Sequence, residues 1–584
     1  MRVVPVLLLP VLVAASLGVL GAPASAATAG IDGQCVQLST DEGRCPVWGH
    51  NWMHPGGDND ACANNNVPQN QVAGRDAVYV TGWACDSEDK PKPGGGWIPG
   101  SDMFTVAYNL DGSTRWVARL NGPGAAQDAI GDEGRGIALS PAGDRLYVTG
   151  GQNQGLGGTA TDFRFVGDIV TVAYDTQSGA EVWRASYHGP AVGMDLAEQV
   201  AVSDDGERVY VVGESQAADE PDGSSGGSDA VTISYVAASG ERDWVSRYHA
   251  PDSNRNNAVG TSSVVVRGSQ VYTSGTYGLG VAPFGGGYEV LAIEDDRAAH
   301  RGIRRWATLS DPALNFHPAR GSLAATAEGV FLTGTKASSV SPPDTCPPQQ
   351  TSQAADAEYG TVKLAPTDGA VLWTSSYAGQ TGGNNGAFGL VTDPTGSRVF
   401  VTGQASGPEP SCTVSITTVA YDGASGQEIW SDYQPPQPGT APQGFAIAAA
   451  PEGDRVYVAG LEYHLDTLGY RGDSRVLAYD AGGGLLWSGR YNTAPLVGTA
   501  LDLDSFAYFL DVSPDGARLY LTDQVNRHDQ ADPGTHQLFG TVSYDTAVLP
   551  GTEVPEGPYA VLLPLVALTL LGGGVLAVRR KERW

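Results

Sequence analysis

Asp168-Ile-Val-Thr-Val-Ala-Tyr174-Asp175-Thr-Gln-Ser-Gly179-Ala-Glu-Val-Trp183-Arg-Ala-Ser-Tyr187 reappears far along the chain as Ser415-Ile-Thr-Thr-Val-Ala-Tyr421-Asp422-Gly-Ala-Ser-Gly426-Gln-Glu-Ile-Trp430. A half-buried strand ending in Tyr-Asp, a Ser-Gly turn and a strand carrying Trp form one unit. Its tryptophan recurs at Trp48, Trp116, Trp183, Trp244, Trp306, Trp373, Trp430 and Trp487, at intervals of 57 to 68 residues. Self-similarity at such a period marks a repeat architecture, here of eight units.

Each unit reads as four strands, A to D. In the unit quoted first, Gly136-Ile-Ala-Leu-Ser140 is A, and a Pro-Ala-Gly-Asp turn leads into B, Arg145-Leu-Tyr-Val-Thr149-Gly150. A long polar loop follows, then C with Thr-Val-Ala-Tyr, then D with the Trp. Turns from A to B (Ser203-Asp-Asp-Gly206, Asp393-Pro-Thr-Gly396, Ser513-Pro-Asp-Gly516) and from C to D (Asp175 to Gly179) are short, whereas B to C and D to the next A are long. The chain finishes on a C strand, Thr541-Val-Ser-Tyr544, and starts with an unaccompanied Val47-Trp48-Gly-His-Asn-Trp52 that reads as a D strand. The two ends complete one another and remove the open seam. The predicted fold is therefore all-β: an eight-bladed β-propeller of four-stranded blades over residues 45–545, closed by an N-terminal outer strand.

Residues i and i+4 of a strand share a face, so Trp183 with Tyr187, Trp244 with Tyr248, Trp373 with Tyr377, Trp487 with Tyr491 and Trp48 with Trp52 are expected to pack between blades. The A strands are rich in small residues, as in Ser322-Leu-Ala-Ala-Thr326 and Phe445-Ala-Ile-Ala-Ala449, which suits a crowded centre. The unit resembles the SBBP-type β-propeller repeats of bacterial exported proteins, with Asp-x-x-Val-x-x-Tyr, Gly, Trp and then Val-Tyr-Val-Thr-Gly. Its Asp-x-x-Ser-Gly-x-x-x-Trp segment is also similar to the tryptophan-docking repeat of the quinoprotein-dehydrogenase superfamily. The vicinal cysteine pair that those enzymes set beside their cofactor has no counterpart here. The resemblance implies a fold rather than an activity, because such propellers serve as scaffolds, binders and enzymes.

Composition narrows the function classes. The chain has 584 residues, 79 of them Gly and only 17% charged, which disfavours helical bundles. Arg2, an apolar run from Val3 to Leu20 and Ala24-Ser25-Ala26 predict a signal peptide over 1–26, followed by an N-terminal extension over 27–44. Tyr559 to Val578 is uncharged and long enough for a transmembrane helix, and Arg579, Arg580, Lys581 and Arg583 make 579–584 a basic cytoplasmic tail. The linker over 546–558 contains Leu549-Pro550-Gly551-Thr552-Glu553, which resembles a cell-wall sorting signal with Glu553 in place of its Gly. Without the two ends, residues 27–558 hold 63 acidic and 29 basic residues, a formal charge of −34, so nucleic acid is not an expected partner. The reading is an exported monomer on the extracellular face, anchored to the cell membrane or wall through its C-terminal helix.

Six cysteines in an exported chain predict disulfides, and proximity along the repeat favours Cys346 with Cys412, Cys62 with Cys85, and Cys35 with Cys45 as loop staples. Both long connections emerge on one face, so function is expected there. The residues entering the A strands should ring the channel mouth: Asp132, Glu133, Arg135, Asp195, Glu198, Arg255, Asn256, Asn257, His317, Arg320, Asn384, Asn385, Gln443, Asp502 and Asp504. Such a polar ring suits a sugar, a peptide or a cation. No cofactor is expected; calcium is the cation that acids and amides outside the cell would suit, although no Asp-x-Asp-x-Asp-Gly loop occurs. His54, His188 and His249 stand at equivalent positions after D strands and read as structural. The leading expectation is a binding or scaffold module for protein, glycan or envelope polymer. The rival is a polysaccharide lyase or glycosidase that uses Asp195 with Glu198, or Asp502 with Asp504, as acid and base.

Overall fold

A computed structural model describes residues 34–35, 48–52 and most of 66–547. Within that span it leaves out 86–89, 92–96, 99–100, 123–130, 160–161, 218–226, 251–259, 278–285, 312–313, 339–355, 410, 437–439, 467–468, 493–500 and 530–534. The expected signal peptide, span and basic tail lie outside the described residues, as do most of the extension and all of the linker beyond residue 547. Among the described residues no helix is long and apolar enough to cross a membrane. The chain divides into two compact units, 1–545 and 546–584.

Unit 1 is the propeller. Blades 1 to 7 each pair their A, B, C and D strands in chain order, beginning with Asn66–Ala73, Ala77–Cys85, Ser101–Asn109 and Thr114–Leu120 in blade 1. Blade 8 has Leu501–Val512, Arg518–Asp529 and Thr535–Asp545 as A, B and C, and its outer strand is Trp48–Trp52 from the N-terminus. Trp48 lies opposite Ser543 and Trp52 opposite Phe539, so the ends close the ring as the repeat count requires. A strands meet in sequence around the channel, and the A strand of blade 8 meets that of blade 1. Asp511 helps seal this seam by accepting the N–H of Ala73 at 2.7 Å; burial pushes its carboxyl up to about 6. One further pairing has no counterpart in the repeat. Gln34–Cys35, from the expected extension, adds a fifth strand to blade 7 opposite Tyr491 and Asn492.

The repeated residues explain themselves in contacts between blades. Trp183 of blade 2 lies 5.8 Å from the ring of Tyr147 and 6.2 Å from that of Tyr235, and its indole N–H donates to the carbonyl of Ala237 in the C to D turn of blade 3. Trp116, Trp306, Trp373 and Trp430 reach the next blade's turn in the same way. The Gly of that turn is required twice over: Gly240 sits at φ +73°, and a Cβ on it would come within 2.5 Å of the Trp183 ring. Trp183 and Tyr187 share one buried cluster, and so do Trp487 and Tyr491, as their spacing predicts. Within a blade, Thr149 of B donates to the carbonyl of Val170 and meets Thr171 of C at 3.0 Å, and Thr333 with Thr361 does the same.

Candidate binding site in the central channel

Every A strand carries a register break against its B strand at the same level. One residue is skipped in most blades: Gln69, Arg135, Glu198, Ser262, Phe388, Phe445 and Tyr508. In blade 5 the excursion is longer, residues 319–322, and contains Arg320. A β-bulge adds an unpaired residue and re-aims its side chain. In blades 2 and 6 the B-strand Gly leaves room for this backbone: a Cβ at Gly403 would lie 1.9 Å from the carbonyl oxygen of Gly386, and one at Gly150 would lie 1.8 Å from that of Glu133; blade 8 carries Asp523 there instead. The motif Val-Tyr-Val-Thr-Gly thus ends in Gly because the neighbouring backbone occupies the space of a side chain.

Around the ring the bulge residues divide into two arcs. Blades 1 to 5 contribute Gln, Arg, Glu, Ser and Arg; blades 6 to 8 contribute Phe388, Phe445 and Tyr508. The three aromatic rings form a row, with centroids 5.5 Å apart from Phe388 to Phe445 and 5.3 Å from Phe445 to Tyr508. Arg320 extends from blade 5 to the far side, donating to the backbone carbonyls of Arg135 and Glu198 and reaching the side-chain oxygen of Gln69 at 3.4 Å. Its Nε lies 3.7 Å from Glu198. Arg135 in turn is clamped between Glu198 and Glu133. Burial opposes the Arg135 charge, but Glu198 and Glu133 outweigh it and hold the guanidinium above its usual range. Burial of Glu214 nearby raises its carboxyl. Between the arcs lies a cavity of about 520 Å³, within the range of small-ligand sites. Phe388, Ile447, Phe445, Tyr508, Phe509 and Gln524 line it from blades 6 to 8; Gln69, Asn70, Gln71, Gln199 and Arg320 line it from blades 1, 3 and 5.

Of the residues expected at the mouth, Glu133, Arg135, Glu198 and Arg320 come together as this network. Asp132, Asp195 and Asn385 occupy one repeat position at the start of A strands and bind the chain itself. Asp132 accepts the N–H groups of Gly122 and Asn153. Asp195 is wholly buried, accepting from Ser215, Gly189 N–H and Gln216 N–H; burial still raises its carboxyl. Asn385 bonds the carbonyls of Ala357 and Ala378 and the N–H of Ser406. Asn384 bridges to Ala357 of blade 5, and His317 meets Asn315 at 2.8 Å. Gln443 precedes the bulge in blade 7, and its carbonyl faces Gly460. Arg255, Asn256 and Asn257 lie outside the described residues; Asp502 and Asp504 are strand residues opposite His528 and Asn526, and their side chains are outside the described ones.

Asp168, His188 and Asp195 bring ligand atoms within 4.8 Å of one another. Asp195 is already saturated by donors, and His188 with Asp168 is repeated one blade on as His249 with Asp229, both at 2.7 Å. That repetition matches a strand-end hydrogen bond, the structural role expected for these histidines; His54 lies outside the described residues. Cys412 is buried and disulfide-bonded, and its partner is outside the described residues.

Sequence reasoning missed Gln69, Ser262, Phe388, Phe445 and Tyr508. For blades 1 to 7 the signal was present in the B-strand Gly opposite the bulge, whereas blade 8 bulges at Tyr508 with Asp523 at that position.

No family model matches the chain, and no curated protein does. Among solved structures it is similar to quinohemoprotein alcohol dehydrogenase from Comamonas testosteroni, at 13% identity over 90% of this chain and 80% of that one, with a TM-score of 0.44. It is also similar to the RRP9 WD40 repeats, at 10% identity over 70% of this chain and 92% of that one (TM-score 0.36). The propeller domain of the trilobed protease from Pyrococcus furiosus matches at 11% over 71% and 93% (TM-score 0.32). These are propellers of different activities, and the architecture here rests on the chain's own strand order.

Proposed function

We propose that this chain is an exported, surface-anchored propeller of the SBBP-repeat type that binds protein, glycan or envelope polymer through its loop face and channel mouth. The observation that carries the reading is the bulge ring: its side chains differ from arc to arc, and five of them, Gln69, Arg320, Phe388, Phe445 and Tyr508, line a cavity of ligand size. Of the two carboxylate pairs the enzyme reading could use, Asp195 with Glu198 is taken up within the protein, Glu198 by Arg135 and Asp195 by Ser215, Gly189 N–H and Gln216 N–H, while the side chains of Asp502 and Asp504 lie outside the described residues. The proposed topology is a signal peptide over 1–26, a span over 559–578 and the tail 579–584 inside. Cys346–Cys412, Cys62–Cys85 and Cys35–Cys45 staple the loops. The test is an array of glycans, cell-wall polymers and envelope proteins probed with the full chain, alongside external protease on intact cells. Binding of a macromolecule together with release of the propeller into the medium supports the proposal. A chain that binds none, or is protected from protease, overturns it.

A further inference from the structure

The two walls of the channel cavity ask for different things from one ligand. Phe388, Phe445 and Tyr508 offer a row of aromatic rings that take apolar C–H or ring surface. On the opposite side Gln71 is spent on the carbonyl of Tyr520 and the hydroxyl of Thr522, whereas Gln69, Asn70 and Gln199 accept from Arg320, Gln71 N–H and Val264 N–H through their oxygens and keep amide N–H groups that match a hydroxyl oxygen. Among the described lining residues Arg320 alone is charged, and its charge is answered within the protein. Two guanidiniums, Arg135 and Arg320, face two carboxylates, Glu133 and Glu198, for a net charge of zero. An ionic ligand would have to break that pairing; a neutral one would not. The carboxylates are likewise held by arginine, which leaves little for a calcium ion to coordinate.

We propose that the channel cavity binds a neutral saccharide unit, one or two sugar rings, stacked by its C–H face on the aromatic arc and hydrogen-bonded through its hydroxyls to the carboxamide arc. This deepens the binding-module reading and rests on it. A cavity of about 520 Å³ has room for a mono- or disaccharide and not for a folded partner.

Titration calorimetry of the full chain in detergent, with cellobiose, maltose, diacetylchitobiose and digalacturonate as probes, tests it. At least one neutral disaccharide is expected to bind at one per chain at millimolar concentration or below. Phe445→Ala and Phe388→Ala are expected to weaken it more than tenfold, and Phe445→Leu, which keeps most of the volume, to weaken it less. Leu372→Ala, on the exposed outer strand of blade 5, is expected to leave it unchanged. Tightest binding of digalacturonate, indifference to the aromatic substitutions in a chain with unchanged unfolding temperature, or no saccharide binding at all would overturn the proposal. Polymer or protein binding that persists through Phe445→Ala, with no response to disaccharides, would sink the saccharide site alone. Disaccharide binding without any macromolecular partner would instead sink the wider binding-module reading.

Discussion

The walls between blades and the ring around the channel are built from the same strands, yet they obey opposite rules. At the walls Trp116, Trp183, Trp244, Trp306, Trp373 and Trp430 each meet a Tyr or Phe at about the same separation, from 5.7 to 6.2 Å, and hand the indole N–H to the next blade. In the ring the backbone bulge repeats while its side chains change from Gln, Arg, Glu, Ser and Arg to Phe, Phe and Tyr. Where an interaction must be made eight times to close a circle, sequence is held; where geometry alone must be held, sequence is free to specialise. Stability and recognition are therefore assigned to different radii of one blade, and substitutions at the two radii should separate them.

The largest effect is expected at the wall. Trp183→Ala removes a buried ring held between two tyrosines together with a hydrogen bond to blade 3, and is expected to cost about 3–5 kcal/mol in denaturant unfolding. A loss near that of an exposed position would mean that the wall is not what holds the blades. Next comes the support of the ring. Gly403→Ala drives a methyl into the carbonyl of Gly386 and is expected to cost about 1–3 kcal/mol, since the bulge has no room to retreat. An unchanged unfolding midpoint would show that the bulge is not fixed by this contact.

Blade 4 breaks the wall's rule and offers a sharper test. Glu289 stands at the C-strand level where blades 1 to 3 carry Phe104, Val170 and Val231; it is wholly buried, and neither carboxyl oxygen has a hydrogen-bond partner. Burial holds its carboxyl well above the usual range, only partly offset by Arg304. Folded Glu289 thus keeps its proton while the unfolded chain releases it, so the native state binds more protons and stability falls as pH rises above the ordinary carboxylate range. Glu289→Gln is expected to match the parent at pH 4 and to exceed it increasingly from pH 5 upward, read as unfolding midpoints across pH. An advantage that shrinks with rising pH would reverse the assignment.

The wall was legible in the sequence because its constraint falls on side chains: Trp183, Tyr187 and Gly179 recur at fixed offsets, and the unmatched Trp48 strand foretold the closure. The ring was half legible. Arg135, Glu198 and Arg320 stood out as charges near the mouth, whereas Phe388, Phe445 and Tyr508 drew no site reading, because a one-residue bulge shifts which face a side chain takes without altering composition. Asp132, Asp195 and Asn385 invited a ligand role by their chemistry, and only their hydrogen-bond partners reveal them tied to neighbouring strands and loops of the chain itself.

The smallest effect on stability is expected in the ring itself. Phe388 is half-buried, and its chief specific contact is the ring of Phe445 at 5.5 Å, an aromatic pair worth about 0.5–1.5 kcal/mol beyond area burial. Phe388→Leu keeps most of the apolar volume and gives up mainly that pair, so its unfolding midpoint is expected to fall by no more than this amount. The same substitution removes one face of the stacking row, and disaccharide affinity should drop more steeply than stability. If Phe388→Leu instead destabilises the chain as much as Trp183→Ala does, the aromatic arc is a second wall, and the division between radii fails on that side of the channel.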